Sequence, residues 1–113
     1  MHLSSRTIGK ALVINVEAPR IDAPSAIQFK DQMRDLTGSG VARVVLDLEQ
    51  VGFVDSSGLG AIVASMKQLA TGQVMELASL SPVVEKVFRL TRMDTIFTIH
   101  PNVAAISDDK SAS

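Results

Sequence analysis

A chain of 113 residues, 46% of them hydrophobic, can build one core and is too apolar to remain disordered. Its formal net charge of −1 gives no general attraction to nucleic acid or an anionic membrane surface, so neither is expected as a partner. Zero cysteines exclude disulfides, thiolate catalysis and cysteine zinc sites, and four aromatics, all Phe, leave the core to aliphatic side chains and Met. The apolar runs fall short of the roughly 18 residues of a membrane span. Met1-His2-Leu3-Ser4-Ser5-Arg6 lacks the apolar centre of a signal peptide, so the expected location is the cytoplasm, without membrane insertion.

Residues 2–8 read as a strand, Gly9-Lys10 as a hairpin turn, and Ala11–Val16 as a second, antiparallel strand. Glu17-Ala18-Pro19-Arg20 breaks the pattern, because Pro19 cannot donate to a ladder. A helix enters at Ile21-Asp22-Ala23-Pro24, with Asp22 or Ala23 at the cap. Phe29, Met33 and Leu36 line its inner face, and Thr37-Gly38-Ser39-Gly40 stops it. A central strand follows at Arg43–Leu48, and a second helix runs from near Ser57 to Thr71-Gly72. Gln73–Ala78 is a further strand. Ser81-Pro82 opens a third helix with Val84, Val87 and Phe88 inward, and Ile96–Ile99 forms a last strand. Pro101-Asn102 opens a short helix through Ile106, and residues 107–113 read as a frayed tail.

Two strands followed by repeated helix–strand units predict an α/β fold: a mixed, mostly parallel sheet of about five strands with about four helices. Residues 1–106 make a single domain in this reading, with the helices covering one face of the sheet more fully than the other.

The organising stretch runs from Val44 to Val63. Val44-Val45-Leu46-Asp47-Leu48 has the continuous apolar pattern of a strand buried on both faces. A short linker leads to Asp55-Ser56-Ser57, residues that accept hydrogen bonds from the free N–H groups of a helix start. Gly58 and Gly60 come next, each costing roughly 1 kcal/mol of helix propensity relative to Ala. On this reading they keep the backbone bare for a partner. A helix N-terminus tolerates a phosphate well, so phosphorylation of Ser57 would add about −1.5 to −2 charge beside Asp55 without unfolding the helix.

The motifs of catalysis are missing. His2 and His100 are the only histidines, one at the chain's N-terminal end and the other after the last expected strand, so no base is placed beside a serine. Val54 precedes Ser56 by two positions and Asp55 precedes Ser57, so there is no Gly-x-Ser-x-Gly elbow. There is no phosphate loop, Gly58-Leu59-Gly60 lacks the third glycine of a dinucleotide fingerprint, and the carboxylates are dispersed rather than set at metal spacing. The expectation is a protein that binds, not an enzyme, with no cofactor and no metal.

Phe53-Val54-Asp55-Ser56-Ser57-Gly58-Leu59-Gly60 resembles the signature of the STAS domain of bacterial anti-sigma factor antagonists and of sulfate transporter ends. The likeness spans residues 8 to 106, including the preceding strand and the Arg20-Ile21-Asp22-Ala23 helix entry. It implies partner switching: the unphosphorylated antagonist holds an anti-sigma factor that is itself a serine kinase and so frees a sigma factor. The kinase phosphorylates the second serine of the motif, here Ser57, and a metal-dependent PP2C-type serine phosphatase resets it. Asp22, Asp55, Ser56, Ser57, Gly58 and Gly60 match the partner-binding positions, although Asp22 reads equally as a helix cap. Two positions depart from the pattern: Pro19 stands where glycine is usual, and Arg92-Met93 replaces a Gly-Leu pair. The alternative is a non-switching STAS scaffold in a transporter or lipid-trafficking complex. A nucleotide-handling enzyme is a third reading, disfavoured by the missing phosphate loop.

Overall fold

The structure, a computed structural model, describes residues 1–106, so the expected tail at 107–113 lies outside the described residues. Strand β1 (His2–Ile8) pairs antiparallel with β2 (Ala11–Glu17) in a register running from His2↔Glu17 to Ile8↔Ala11. Gly9 takes φ +60°, the sign needed at the first position of a type II′ hairpin turn. Strands β4 (Arg43–Asp47), β6 (Val74–Ala78) and β7 (Thr98–His100) then add in parallel, giving the order β1-β2-β4-β6-β7. Helices α1 (Ala26–Thr37), α2 (Ser56–Lys67) and α3 (Pro82–Leu90) make the crossovers.

Helices cover only one face. Ile14, Val44, Leu46 and Leu77 point into the larger core beneath them, with Phe29, Ile62 and Phe88 fully buried opposite. Ala11, Val13, Val45 and Ala78 point to the other face, closed by Ile106 beside a 3-10 turn at Val103–Ala105. This split explains the unbroken run of β4: Val44, Val45 and Leu46 alternate between two cores and none is exposed. The same second face carries a cross-strand ionic cluster absent from the sequence reading. Glu76 Oε1 accepts from Arg43 Nη2 at 2.8 Å and lies 2.7 Å from His100 Nε2.

Several boundaries differ from expectation. The fourth expected helix is only the Val103–Ala105 turn, in which Asn102 Oδ1 accepts from the Ala105 N–H at 2.9 Å. The first helix is entered through a separate 3-10 turn, Ala23–Ser25, capped by Asp22. Helix α2 ends at Lys67 with Gln68 as its C-cap, short of Thr71-Gly72, where Gly72 instead turns the chain at φ +93°. The last strand is Thr98–His100. Ile96 is 47% exposed outside it, while Phe97 is buried edge-on against Phe88 with ring centroids 6.0 Å apart. Arg92 adopts φ 62°, ψ 18°, the left-handed conformation that the usual glycine takes without strain.

Two short strands were not foreseen. β3 (Arg20–Ile21) and β5 (Phe53–Val54) pair in parallel as a separate two-stranded sheet. They occupy the end of the expected strand break at Arg20, the expected helix entry at Ile21, and the stretch read as a linker. Two residues are too few to display a period, so only the fold reveals them.

Candidate functional site

The small β3–β5 sheet positions the site. Each of its strands leads directly into a helix start: Ile21 into Asp22 and the turn at Ala23, Val54 into Asp55 and α2. Because the strands are parallel and in register, the two helix starts emerge side by side. The Asp55 N–H donates to the Ile21 carbonyl at 3.3 Å, and the Gly52 N–H to the Pro19 carbonyl at 2.8 Å.

Asp55 joins the two starts. Its backbone is extended, as an N-cap requires, and its Oδ1 accepts from the Gly58 N–H at 2.8 Å. Its Oδ2 accepts from the Ala23 N–H at 3.3 Å. One carboxylate therefore satisfies a free donor on each of two adjacent helical segments. Asp22 is occupied locally: the Ser25 hydroxyl donates to its Oδ1 at 2.9 Å, and Arg20 Nε lies 3.4 Å from its Oδ2. The Arg20 guanidinium also stands 5.0 Å from the centroid of the Phe53 ring, which is itself partly exposed. Arg20, read from sequence only as part of a strand break and helix entry, is thus held between a carboxylate and an aromatic face. The register of β3 with β5 makes that contact, through the pairing Arg20↔Phe53.

Ser56 and Ser57 are the first two residues of α2 and both are exposed. Neither hydroxyl has a hydrogen-bond partner among the described residues, and no protein acceptor takes their N–H groups. The helix start thus presents free donors and a free nucleophilic oxygen, and its dipole favours an anion there.

The two glycines divide. Gly60 is exposed, and a β-carbon on it would meet nothing within 4 Å. Gly58 corrects the expectation that both leave the backbone open to a partner. It is buried, and a β-carbon there would lie 2.0 Å from the Ile21 carbonyl oxygen. Its smallness serves the chain's own close approach of α2 to β3. Asp22, Asp55, Ser56, Ser57 and Gly58 are therefore gathered at one end of the fold, while Gly60 sits a turn further along α2.

The comparisons with known proteins agree with this architecture. The family model of the STAS domain matches residues 2–106, and the chain belongs to that family. BtrV of Bordetella bronchiseptica, a candidate anti-sigma factor antagonist, is 30% identical over 80 residues, covering 70% of this chain and 69% of BtrV. An anti-sigma-factor antagonist (STAS) domain protein of Planctomyces limnophilus superposes with a TM-score of 0.86 at 19% identity, covering 96% of this chain and 97% of its own. The Bacillus protein SpoIIAA, an anti-sigma factor antagonist, superposes in its unphosphorylated form with a TM-score of 0.74 at 21% identity, covering 97% of each chain. Its phosphorylated form gives 0.66, covering 95% of this chain and 98% of its own. A sulfate transporter family protein of Wolinella succinogenes shares the fold as well, with a TM-score of 0.75 at 12% identity over 93% of this chain and 90% of its own. Among the described residues, no helix is long and apolar enough to cross a membrane.

Proposed function

We propose that this STAS protein is an anti-sigma factor antagonist working by partner switching. With Ser57 unmodified it binds an anti-sigma factor that is a serine kinase. Phosphorylation of Ser57 releases it, and a PP2C-type serine phosphatase restores it. Asp22, Asp55, Ser56 and Gly60 frame the contact surface around Ser57, and the protein acts by binding rather than by catalysis.

The observation that carries this reading is the state of Ser57. Its hydroxyl is exposed and unpartnered at the second position of a helix whose cap, Asp55, is already occupied by other donors. A kinase can reach that oxygen without dismantling any contact of the fold. The added charge sits where a helix N-terminus tolerates an anion, yet close enough to Asp55 to change what docks. The likeness to BtrV, and to a protein solved in both phosphorylated and unphosphorylated forms, supports the same reading.

The test is capture from host lysate on Ser57→Ala and Ser57→Asp baits, read by mass spectrometry. A kinase-fold protein retained by the alanine bait and absent from the aspartate bait is expected. Equal retention overturns the switch, and equal retention of membrane proteins would favour the scaffold role instead.

A further inference from the structure

The outer face of the β3–β5 sheet carries two side chains that the surface around Ser57, as drawn so far, leaves out. Alternation along these strands turns Ile21 and Val54 inward, where both are buried, and turns Arg20 and Phe53 outward. The parallel register sets the two outward residues beside each other. Phe53 is 40% exposed, whereas Phe29, Phe88 and Phe97 are buried. One of the chain's four aromatic rings is therefore left at the surface, close to the start of α2.

Arg20 is held in place with donors to spare. Its guanidinium carbon stands 5.0 Å from the Phe53 centroid, and its Nε lies 3.4 Å from Asp22 Oδ2. Asp22 is the one carboxylate within 4 Å of it among the described residues, and the other Asp22 oxygen takes the Ser25 hydroxyl. The Arg20 side chain is still 59% exposed, and neither of its Nη nitrogens donates a hydrogen bond to a described residue. A guanidinium edge with two free N–H groups matches the two oxygens of a carboxylate. Because the ring and Asp22 already restrain the side chain, a partner that uses this edge has less motion to arrest.

The pair is continuous with the surface around Ser57. Asp22 leads into Ala23, whose N–H bonds to Asp55, and Asp55 caps the helix on which Ser57 stands. Phe53 precedes Asp55 by two residues along the same stretch of chain. Resting on the partner-switching reading, we propose that Arg20 and Phe53 form a second anchor for the serine kinase that binds at Ser57. Arg20 receives a carboxylate of the kinase on its Nη edge, and the exposed Phe53 ring packs against an aliphatic side chain beside that carboxylate. Aromatic rings and arginines are the side chains that most often dominate an interface. The anchor decides which kinase binds, since a lysine at the facing position would meet the guanidinium as a like charge. The state of Ser57 decides whether that kinase binds at all.

The test uses the full chain carrying Ser57→Ala and the kinase that it retains, with affinity measured by titration calorimetry. Adding Arg20→Glu should weaken binding by about thirtyfold or more, and Arg20→Lys by about fivefold, because an ammonium cannot match a carboxylate through two parallel N–H groups. Phe53→Ser should weaken it by about tenfold. Arg20 is exposed, so thermal melting should report an intact fold in its variants, which decide the matter even where Phe53→Ser fails to fold. Changing the kinase's surface Asp and Glu residues singly to Lys should yield one variant that regains affinity for the Arg20→Glu chain. Binding unmoved by Arg20→Glu overturns the anchor and leaves the switch standing, and so does a loss that no reversed carboxylate restores. If the Ser57→Ala chain retains no kinase, the partner-switching reading fails and the anchor falls with it.

Discussion

Gly58 and Ile21 approach so closely that a β-carbon on Gly58 would stand 2.0 Å from the Ile21 carbonyl oxygen. That oxygen also accepts the Asp55 N–H, so the contact seats the start of α2 on β3. Gly58→Ala should therefore force backbone apart and cost about 3 kcal/mol, at the upper end of overpacking effects. Gly60→Ala is the control: its β-carbon would meet nothing, and the gain in helix propensity should stabilise the fold by up to about 1 kcal/mol. Urea denaturation of both variants checks the pair.

Asp55 and Ser57 should separate stability from recognition. Removing the carboxylate in Asp55→Ala leaves the Gly58 and Ala23 N–H groups without their acceptor and should cost about 1–2 kcal/mol. Asp55→Asn keeps one carbonyl oxygen and should lose less. Ser57→Ala removes an exposed hydroxyl that has no hydrogen-bond partner among the described residues and should change stability by no more than about 0.5 kcal/mol. Denaturation midpoints measured beside kinase binding will separate the two roles.

Arg92 holds a left-handed backbone, φ 62°, that costs an L-residue with a side chain roughly 1–2 kcal/mol. Arg92→Gly should remove that cost and raise stability by up to about 1 kcal/mol after glycine's greater freedom in the unfolded chain is counted. Arg92→Ala should bring no such gain. Comparing the two by thermal melting isolates the backbone from the lost charge.

Ser65 on α2 is buried, and its hydroxyl has no hydrogen-bond partner among the described residues. Leaving a hydroxyl unsatisfied in an apolar interior is unfavourable, so Ser65→Ala should stabilise the protein by about 1 kcal/mol. A loss of stability in urea denaturation would contradict this.

Much of this architecture is legible because it is written over short distances. The β-branched, apolar run of β2, the double-sided run of β4 and the Asp55 and Ser81 caps each depend on residues within a few positions of one another. The ends of elements were less legible. Helix α2 stops at Lys67 although apolar Leu69 continues the pattern, since that residue belongs to a turn in which its N–H bonds back to Met66. The strands β3 and β5 carry no period at all, and Phe97 looks like a strand residue although it packs edge-on to Phe88 before β7 begins.

Local chemistry alone determined the strand and helix order, the capped start of α2, and the presence of serines with room for a phosphate beside Asp55. It could not decide that Gly58 serves Ile21, that Asp55 reaches Ala23, or that Arg20 lies over Phe53. Each of these joins residues distant in the chain, and none leaves a period or a propensity in either segment. Helix capping and periodicity act between near neighbours and can be read along the chain. The close approach of one backbone to another is created only when the sheet brings them into register.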